Sequence, residues 1–190
     1  MKLLFATSNK HKFEEAKFIL SKYEIEIEML KKKKVEIQST KVEEVAKHAA
    51  LELVKSVKSP LITEDSELNI GALNGFPGPY SAYVFKTIGN RGILRLMEGE
   101  KDRRGFFKAA VCLCSPKIQK CFVGIAKGRI AEKERGKSGF GFDPIFIPDE
   151  RPEKTFGEMS PEEKSLYSHR GKAVRKLAEW CIKNLRMLKS

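Results

Sequence analysis

Tryptophan occurs once, histidine three times and cysteine four times in 190 residues, and each scarcity removes a class of protein. The cysteines, at 112, 114, 121 and 181, show no Cys-x-x-Cys or paired Cys/His spacing, which argues against a zinc site. The longest apolar run, Ala109 to Cys114, falls far short of the ~20 residues that a membrane-spanning helix needs. Met1 to Ala6 carries one lysine and too few apolar residues for a signal peptide, so a cytoplasmic location is expected. In that compartment a disulfide framework is not expected. Cys112 and Cys114 share one face of a strand-like run and read as small apolar core residues. No internal repeat and no low-complexity tail is present.

What is there describes a globular chain. Hydrophobic residues make up 41% and charged residues 33%. A chain of this size fits one domain with room for two lobes and buries roughly 70% of its unfolded surface. Net charge is +12, from 37 Lys and Arg against 25 Asp and Glu, which favours anionic partners. The densest basic run, Lys31 to Lys34, reads as a solvated loop. The load of Lys, Arg and Glu also suits a thermophile.

Periodicity gives a mixed α/β order. Lys2 to Ala6 is a short buried strand, and Thr7-Ser8-Asn9 ends it with cap residues. Phe13, Ala16, Lys17 and Leu20 then follow helical spacing. Glu24 to Met29 alternates as a half-buried strand. Val42, Val45, Ala46, Ala49 and Leu53 form one apolar helix face behind the capping box begun by Thr40. Leu61 to Thr63 is a short strand leading into Glu64-Asp65, and Gly71 to Pro79 is a shaped loop. Tyr80 to Lys86 and Ile93 to Glu98 look helical. Phe106 to Cys114 and Gln119 to Ile130 pair antiparallel through Ser115-Pro116-Lys117. Ser160-Pro161 starts another helix. The last helix carries Val174, Leu177, Ala178, Cys181, Ile182 and Leu185 on one face.

Several segments carry chemistry. Thr7-Ser8-Asn9 is a strand-to-helix turn whose backbone N–H groups point at whatever sits above the strand end, and Lys12 lies one turn further on. Asp65 follows a buried strand, where α/β domains bind ligands. It reads either as metal ligand, general base or both, or as a cap or salt-bridge partner; Glu64 beside it points the opposite way if the strand continues. Glu36 is either one of the few carboxylates that Mg²⁺ takes from a protein or an exposed strand residue. In Gly139-Phe140-Gly141-Phe142-Asp143-Pro144 the glycines permit close backbone approach, a phenylalanine offers a flat wall for a base, and Asp143 or the backbone offers edge contacts. The bland alternative is a bent strand with core aromatics. Lys164 and Ser168-His169-Arg170 supply a point charge, an imidazole and a planar fork suited to phosphate, or simply decorate a helix. Gly136-Lys137-Ser138 mimics the end of a P-loop, but position 131 is Ala131 and no helix follows, so it is rejected.

Taken in order, these segments resemble the inosine triphosphate pyrophosphatase family. The resemblance spans nearly the whole chain: Phe5 to Asn9 with Lys12, Glu36, Thr63 to Ser66, Gly75 to Ser81, Gly139 to Pro144, and Glu163-Lys164 with Ser168 to Arg170. It implies a single pyrophosphatase domain over residues 1–190, with an elongated mixed sheet, flanking helices and two lobes around a central cleft. It implies Mg²⁺-dependent cleavage of ITP, dITP and XTP to the monophosphate and pyrophosphate, and a homodimer. By motif position Thr7, Ser8, Asn9 and Lys12 hold phosphates, and Ser66 touches substrate. Glu36 and Asp65 serve the metal, with Asp65 also acting on the attacking water. Phe140, Gly141, Phe142, Asp143, Lys164, His169 and Arg170 enclose and read the base. The chain departs from the family at Ser8, where many members have glycine, and at Phe142, where Tyr or Trp is common. The lysine that other members carry in the helix after the metal glutamate has two local candidates here, Lys47 and His48.

Two rival classes are weaker. A nucleic-acid-binding protein would suit the charge, but no basic-aromatic module is recognisable and the acids would repel phosphate without a metal. A related pyrophosphatase for pyrimidine or methylated nucleotides, or a nucleotide binder without turnover, would not explain Ser168 to Arg170 and Asp65 together.

Overall fold

The computed structural model describes residues 1–185 apart from Lys33, Glu36 and Lys58. Along the chain run β1 (Lys2–Ala6), α1 (Lys10–Ser21), β2 (Glu26–Leu30), α2 (Val42–Val57), β3 (Leu61–Ile70), β4 (Pro77–Gly78), α3 (Ser81–Thr87) and α4 (Gly89–Leu96). Then follow β5 (Arg104–Ser115), β6 (Ile118–Ile130), β7 (Phe146–Pro148), α5 (Pro161–Tyr167) and α6 (His169–Lys183). The strands form one mixed sheet in the order β2-β1-β3-β5-β6-β7, with β4 paired to β3.

β3 is where the sheet changes character. It runs parallel to β1 only through the pairs Leu4–Leu61 and Phe5–Ile62, but antiparallel to β5 from Leu61–Cys114 to Ile70–Gly105. Sequence alone suggested a strand ending at Thr63. The ladder to β5 carries it on through Glu64, Asp65 and Asn69, because cross-strand pairing outweighs the poor strand propensity of those residues. Relative to β1, Glu64 and Asp65 therefore still stand beyond a strand end.

The apolar residues fall into three clusters. Leu3, Phe5, Phe13, Ile62, Val174 and Leu177 pack between the sheet and the pair α1 and α6. Ala46, Ala50, Leu53, Leu61 and Cys112 pack on the α2 face. Phe107, Phe142, Phe146 and Phe156 join Ile93 and Met97 toward the far end of the sheet. Fully burying such a side chain stabilises by ~1.5–3 kcal/mol, so each cluster is large enough to fix its helix.

Three expectations need correcting. Cys112 and Cys121 form a disulfide, since the β5–β6 register sets them directly opposite one another; Cys114 and Cys181 are the free, buried thiols. Ile182 and Leu185 are 46% and 39% exposed, at the end of α6 and just beyond it. The loop after β3 is not wholly irregular: it holds a 3₁₀ turn, Gly71–Leu73, and β4.

Candidate active site

Adjacent residues of a strand face opposite sides, and β3 uses this to separate two carboxylates. Glu64 shares the face of Ile62, toward α1 and α6. Asp65 shares the face of Thr63, whose hydroxyl donates to the Ala46 carbonyl of α2 at 2.6 Å.

On the α1/α6 face Glu64 is wholly buried and ion-paired at both oxygens. Lys12 Nζ lies 2.7 Å from its Oε2. Arg170 Nε and Nη2 each lie 3.0 Å from its Oε1. Arg170 also donates to Glu15 Oε2 at 2.8 Å and to Ser66 Oγ at 3.3 Å. Ser168 Oγ caps α6 by accepting from Gly171 N and donates to Glu15 Oε1. Burial works against ionisation of both glutamates, yet the neighbouring cations prevail. Glu64 is brought down to about 2 by Arg170 and Lys12, and Glu15 is lowered by Arg170 and Lys164. Arg170 is held charged above its ordinary range; burial opposes this and the two glutamates overcome it.

Asp65 lies in a different field. Burial raises its pKa; Lys12 and Lys34 oppose this and Glu64 adds to it. Its Oδ1 accepts from the Ser66 N–H at 3.0 Å. The result is a partly buried carboxylate more basic than an ordinary aspartate. On the same face, Glu43 Oε1 and Glu67 Oε1 hold Lys108 Nζ at 2.6 and 3.8 Å. The second oxygens of Glu43 and Glu67 are buried with no hydrogen-bond partner. Burial, Glu43 and Asp65 also raise Glu67, although Asn69 and Lys108 pull it down.

The turn after β1 is built as its composition demands. Thr7 is buried and its Oγ1 accepts from the Asn9 N–H at 3.1 Å. Asn9 caps α1, its Oδ1 accepting from the Lys12 N–H at 3.2 Å. Ser8 is exposed.

The Gly139–Asp143 loop sits beside them. Asp143 Oδ2 accepts from the Phe140 N–H at 2.7 Å and from Lys164 Nζ at 2.6 Å, both acid and lysine being buried. Gly139 has φ +74°, and a Cβ there would collide with the Asp143 carboxylate, so glycine is required. The Phe140 ring stacks on His11 at 5.1 Å, with Lys164 Nζ 4.8 Å and Arg170 Cζ 5.4 Å from its centroid. Phe142 points elsewhere: it is 3% exposed and meets Phe85 edge-on in the apolar core. Gly141 is open, with φ +64°. His169 is buried, stacked on Phe107 at 4.6 Å with Nδ1 unpartnered, and is held neutral chiefly by burial, then by Arg170 and Lys164.

Of the residues singled out in the sequence, Lys12, Ser66 and Arg170 meet around Glu64, with the Thr7–Asn9 turn at the start of α1, while Asp65 stands on the opposite face of β3. Phe140, Asp143 and Lys164 form a second group joined to the first by Arg170. His169 backs this wall, while Phe142 is not part of it. Glu36 lies outside the described residues. Lys47 is exposed and close to Cys114, and His48 is half-buried with an unpartnered Nδ1. Glu15 belongs to no motif in the sequence, although it follows Lys12 by three residues on one helix face. Lys34, in the run expected to be a solvated loop, instead has Nζ 3.4 Å from the Glu64 carbonyl oxygen.

Among the described residues no three metal-ligating side chains converge on one point. Mg²⁺ needs fewer, since it keeps its waters and takes one or two carboxylates plus phosphate oxygens. The donors present fit such an ion: Asp65 and Glu67 are hard oxygen ligands whose pKa values are raised chiefly by burial. Two cavities lie away from this region. One of about 270 Å³ is lined by Arg103, Arg129, Lys133 and Arg135, and the other, of about 570 Å³, by Lys17 to Ile27. In the first, the Arg103 guanidinium is spent on the carbonyls of Met97, Ile130 and Ala131, so its role is structural.

A mixed sheet with anion donors, an aromatic loop and a basic carboxylate at its parallel edge defines an α/β protein of the nucleotide-phosphate-binding class. The sequence model of the Ham1 family matches residues 3–180, and the chain belongs to that family. It is 52% identical over 186 residues to a dITP/XTP pyrophosphatase of Methanopyrus kandleri, covering 97% of this chain and 98% of that one. It is 48% identical over 178 residues to the dITP/XTP pyrophosphatase of Hyperthermus butylicus, covering 94% and 93%. Among solved structures it is similar to a HAM1 protein from Coxiella burnetii, with TM-score 0.84 and 28% identity over 96% of this chain and 99% of that one. The Staphylococcus aureus Ham1 protein gives 0.83 at 28% identity, with the same coverage.

Proposed function

We propose that the protein is a metal-assisted nucleoside triphosphate pyrophosphohydrolase that converts dITP, ITP and XTP to their monophosphates and pyrophosphate. The observation that carries this is Asp65: a carboxylate of raised basicity, flanked by Lys12 and Lys34, just past the end of β1. The near full-length likeness to proteins named dITP/XTP pyrophosphatase supplies the substrate class.

In this reading Asp65 orients the attacking water and accepts its proton, and raised basicity suits that task. Thr7, Ser8, Asn9 and Lys12 hold the phosphates. Asp65 and Glu36 hold Mg²⁺, with Glu67 near enough to shape its field. When bound, that ion neutralises charge on the phosphate oxygens. Phosphoryl transfer asks little more of a protein than charge neutralisation and an aligned nucleophile. Phe140 is the wall for the base. Lys164, fixed by Asp143, is the donor for a 6-oxo group, where adenine would present a second donor and be refused. The neutral His169 and the committed Arg170 brace this wall, and Ser66 contacts the substrate beside Asp65. Phe142 supports the loop from beneath.

We read the chain as one domain of two lobes, acting as a cytoplasmic homodimer; no helix among the described residues is long and apolar enough to cross a membrane. The deciding experiment is pyrophosphate release from dITP, ITP, XTP, dATP and dGTP, with Mg²⁺ and with chelator. Metal-dependent release from the first three alone supports the proposal. Release from all five, or from none, overturns it.

A further inference from the structure

At the end of β6 cations gather around a cavity instead of meeting acids. Arg103, Arg129, Lys133 and Arg135 line this space of about 270 Å³, together with one acid, Glu132. Arg129 lies opposite Arg104 in the β5–β6 ladder, whereas Asp65 lies opposite Ala110, six residues further along β5. At ~3.4 Å per residue that is roughly 20 Å, so the cavity is separate from the region around Asp65. Its cations are held in different ways. Arg103 donates to the carbonyl oxygens of Ile130, Met97 and Ala131 at 2.8, 3.0 and 2.8 Å. Arg129 Nη2 donates to the Pro152 carbonyl oxygen at 3.1 Å. Carbonyl oxygens orient a guanidinium without neutralising it. Arg135 differs, since Glu158 Oε2 accepts from its Nη2 at 2.8 Å. Among the described residues Arg103, Arg129 and Lys133 meet no carboxylate at ion-pair distance. Three such cations against Glu132 leave an excess of two positive charges.

We propose that this cavity is a second anion-binding site, distinct from the one around Asp65, and that it takes an inorganic phosphate anion, orthophosphate or pyrophosphate. A concave space lined by one sign of charge concentrates counter-ions, and a bound anion relieves the repulsion among the cations. The excess of two charges matches a phosphate dianion. Size points the same way: the cavity falls just under the ~300–1,000 Å³ of pockets that enclose drug-sized ligands, which suits an ion better than a nucleoside. Among the described residues no aromatic side chain lines it, so there is nothing for a base to stack on. Arg129 offers a planar fork matched to two phosphate oxygens, already oriented by Pro152, and Lys133 adds a point charge from the exposed rim. Arg103 keeps its structural role and contributes its charge to the field from the floor.

The inference stands apart from the pyrophosphohydrolase reading and is tested without turnover. Titrate the full chain calorimetrically with orthophosphate and, separately, with pyrophosphate, both in chelator. Compare wild type with Lys133→Gln, Lys133→Arg and the double variant Arg129→Gln/Lys133→Gln. As a control for general charge, use Lys86→Gln/Lys183→Gln, which removes two charges at exposed positions elsewhere. Loss of each charged hydrogen-bond partner predicts about tenfold weaker binding, so about tenfold for Lys133→Gln and about a hundredfold for the double variant. Lys133→Arg and the control pair bind as wild type does. Whichever of the two anions binds more tightly identifies the source of the phosphate, and either supports the site. Unchanged binding in the double variant overturns the inference, as does an equal loss in the control pair. A loss in Lys133→Arg as large as in Lys133→Gln assigns the effect to packing and overturns it too. So does a single-stranded oligonucleotide that binds through Arg129 and Lys133 more tightly than either anion.

Discussion

Arg170 closes on Glu64 with both Nε and Nη2 at 3.0 Å from a single carboxylate oxygen, across 106 residues of chain. The pair is fully buried, and its remaining valences go to Lys12 and Glu15. It joins β3 to the start of α6 and so sets the distance between Asp65 and the loop that carries Phe140. Buried pairs are weak sources of net stability, but losing one partner leaves the other uncompensated.

Glu64→Ala is therefore expected to destabilise the fold by ~3 kcal/mol, since Arg170 would keep only Glu15 and Lys12 would lose its carboxylate partner. Urea denaturation of variant and wild type measures it. A difference below ~1 kcal/mol would mean that water solvates the two cations adequately.

Asp65→Asn should behave in the opposite way. Asp65 pairs with no cation at salt-bridge distance among the described residues, so the midpoint of unfolding is expected to hold. Pyrophosphate release from dITP should fall by ~10²–10⁴ if the carboxylate is the base. Near-normal turnover would remove it from that role.

Lys164→Met keeps much of the buried side chain's bulk and removes its charge. Asp143 loses its partner, and the site loses a donor to a 6-oxo purine. The kcat/KM ratio of dITP over dATP should fall by about tenfold or more. If both substrates lose equally, Lys164 holds phosphate rather than reading base.

Acid stability has a definite sign. His169 is held well below its ordinary 6.5, so below that value the unfolded chain takes up the proton first. Its contribution is complete above 6.5 and declines as pH falls. Glu64 and Glu15 add a second decline below 4.5, which for Glu64 extends to about 2. Asp65 and Glu67, raised instead, act in the other direction. Unfolding free energy measured from pH ~7.5 to ~5 should fall in wild type and flatten in His169→Gln. Identical slopes would mean that His169 titrates normally.

The Cys112–Cys121 bond predicts two reactive thiols, Cys114 and Cys181, when the unreduced protein is denatured and titrated. Closing so short a loop is worth ~2–3 kcal/mol, so reductant should lower the melting temperature. Four thiols without reduction would mean that the cysteines face each other unbonded.

Much of this was readable in one dimension because it depends on local chemistry. A strand followed by Thr7-Ser8-Asn9 and a helix can only present N–H groups and a cap at one edge. Two neighbouring acids in a strand must face opposite sides. The glycines around Phe140 are needed wherever that loop sits, because their backbone conformations exclude a Cβ. What sequence could not supply was partnership. Glu15 and Arg170 are 155 residues apart and meet only because α1 and α6 pack on the same face of the sheet. Phe140 and Phe142 are equivalent as aromatics, and the turn of the loop alone sends one to the site and the other into the core. Cys112 and Cys121 pair because of the β5–β6 register, and Lys34 reaches the Glu64 carbonyl oxygen on β3, 30 residues away in sequence. Sequence determined which groups could do the chemistry; tertiary structure decided which of them share a low-dielectric space, where charge has its greatest effect.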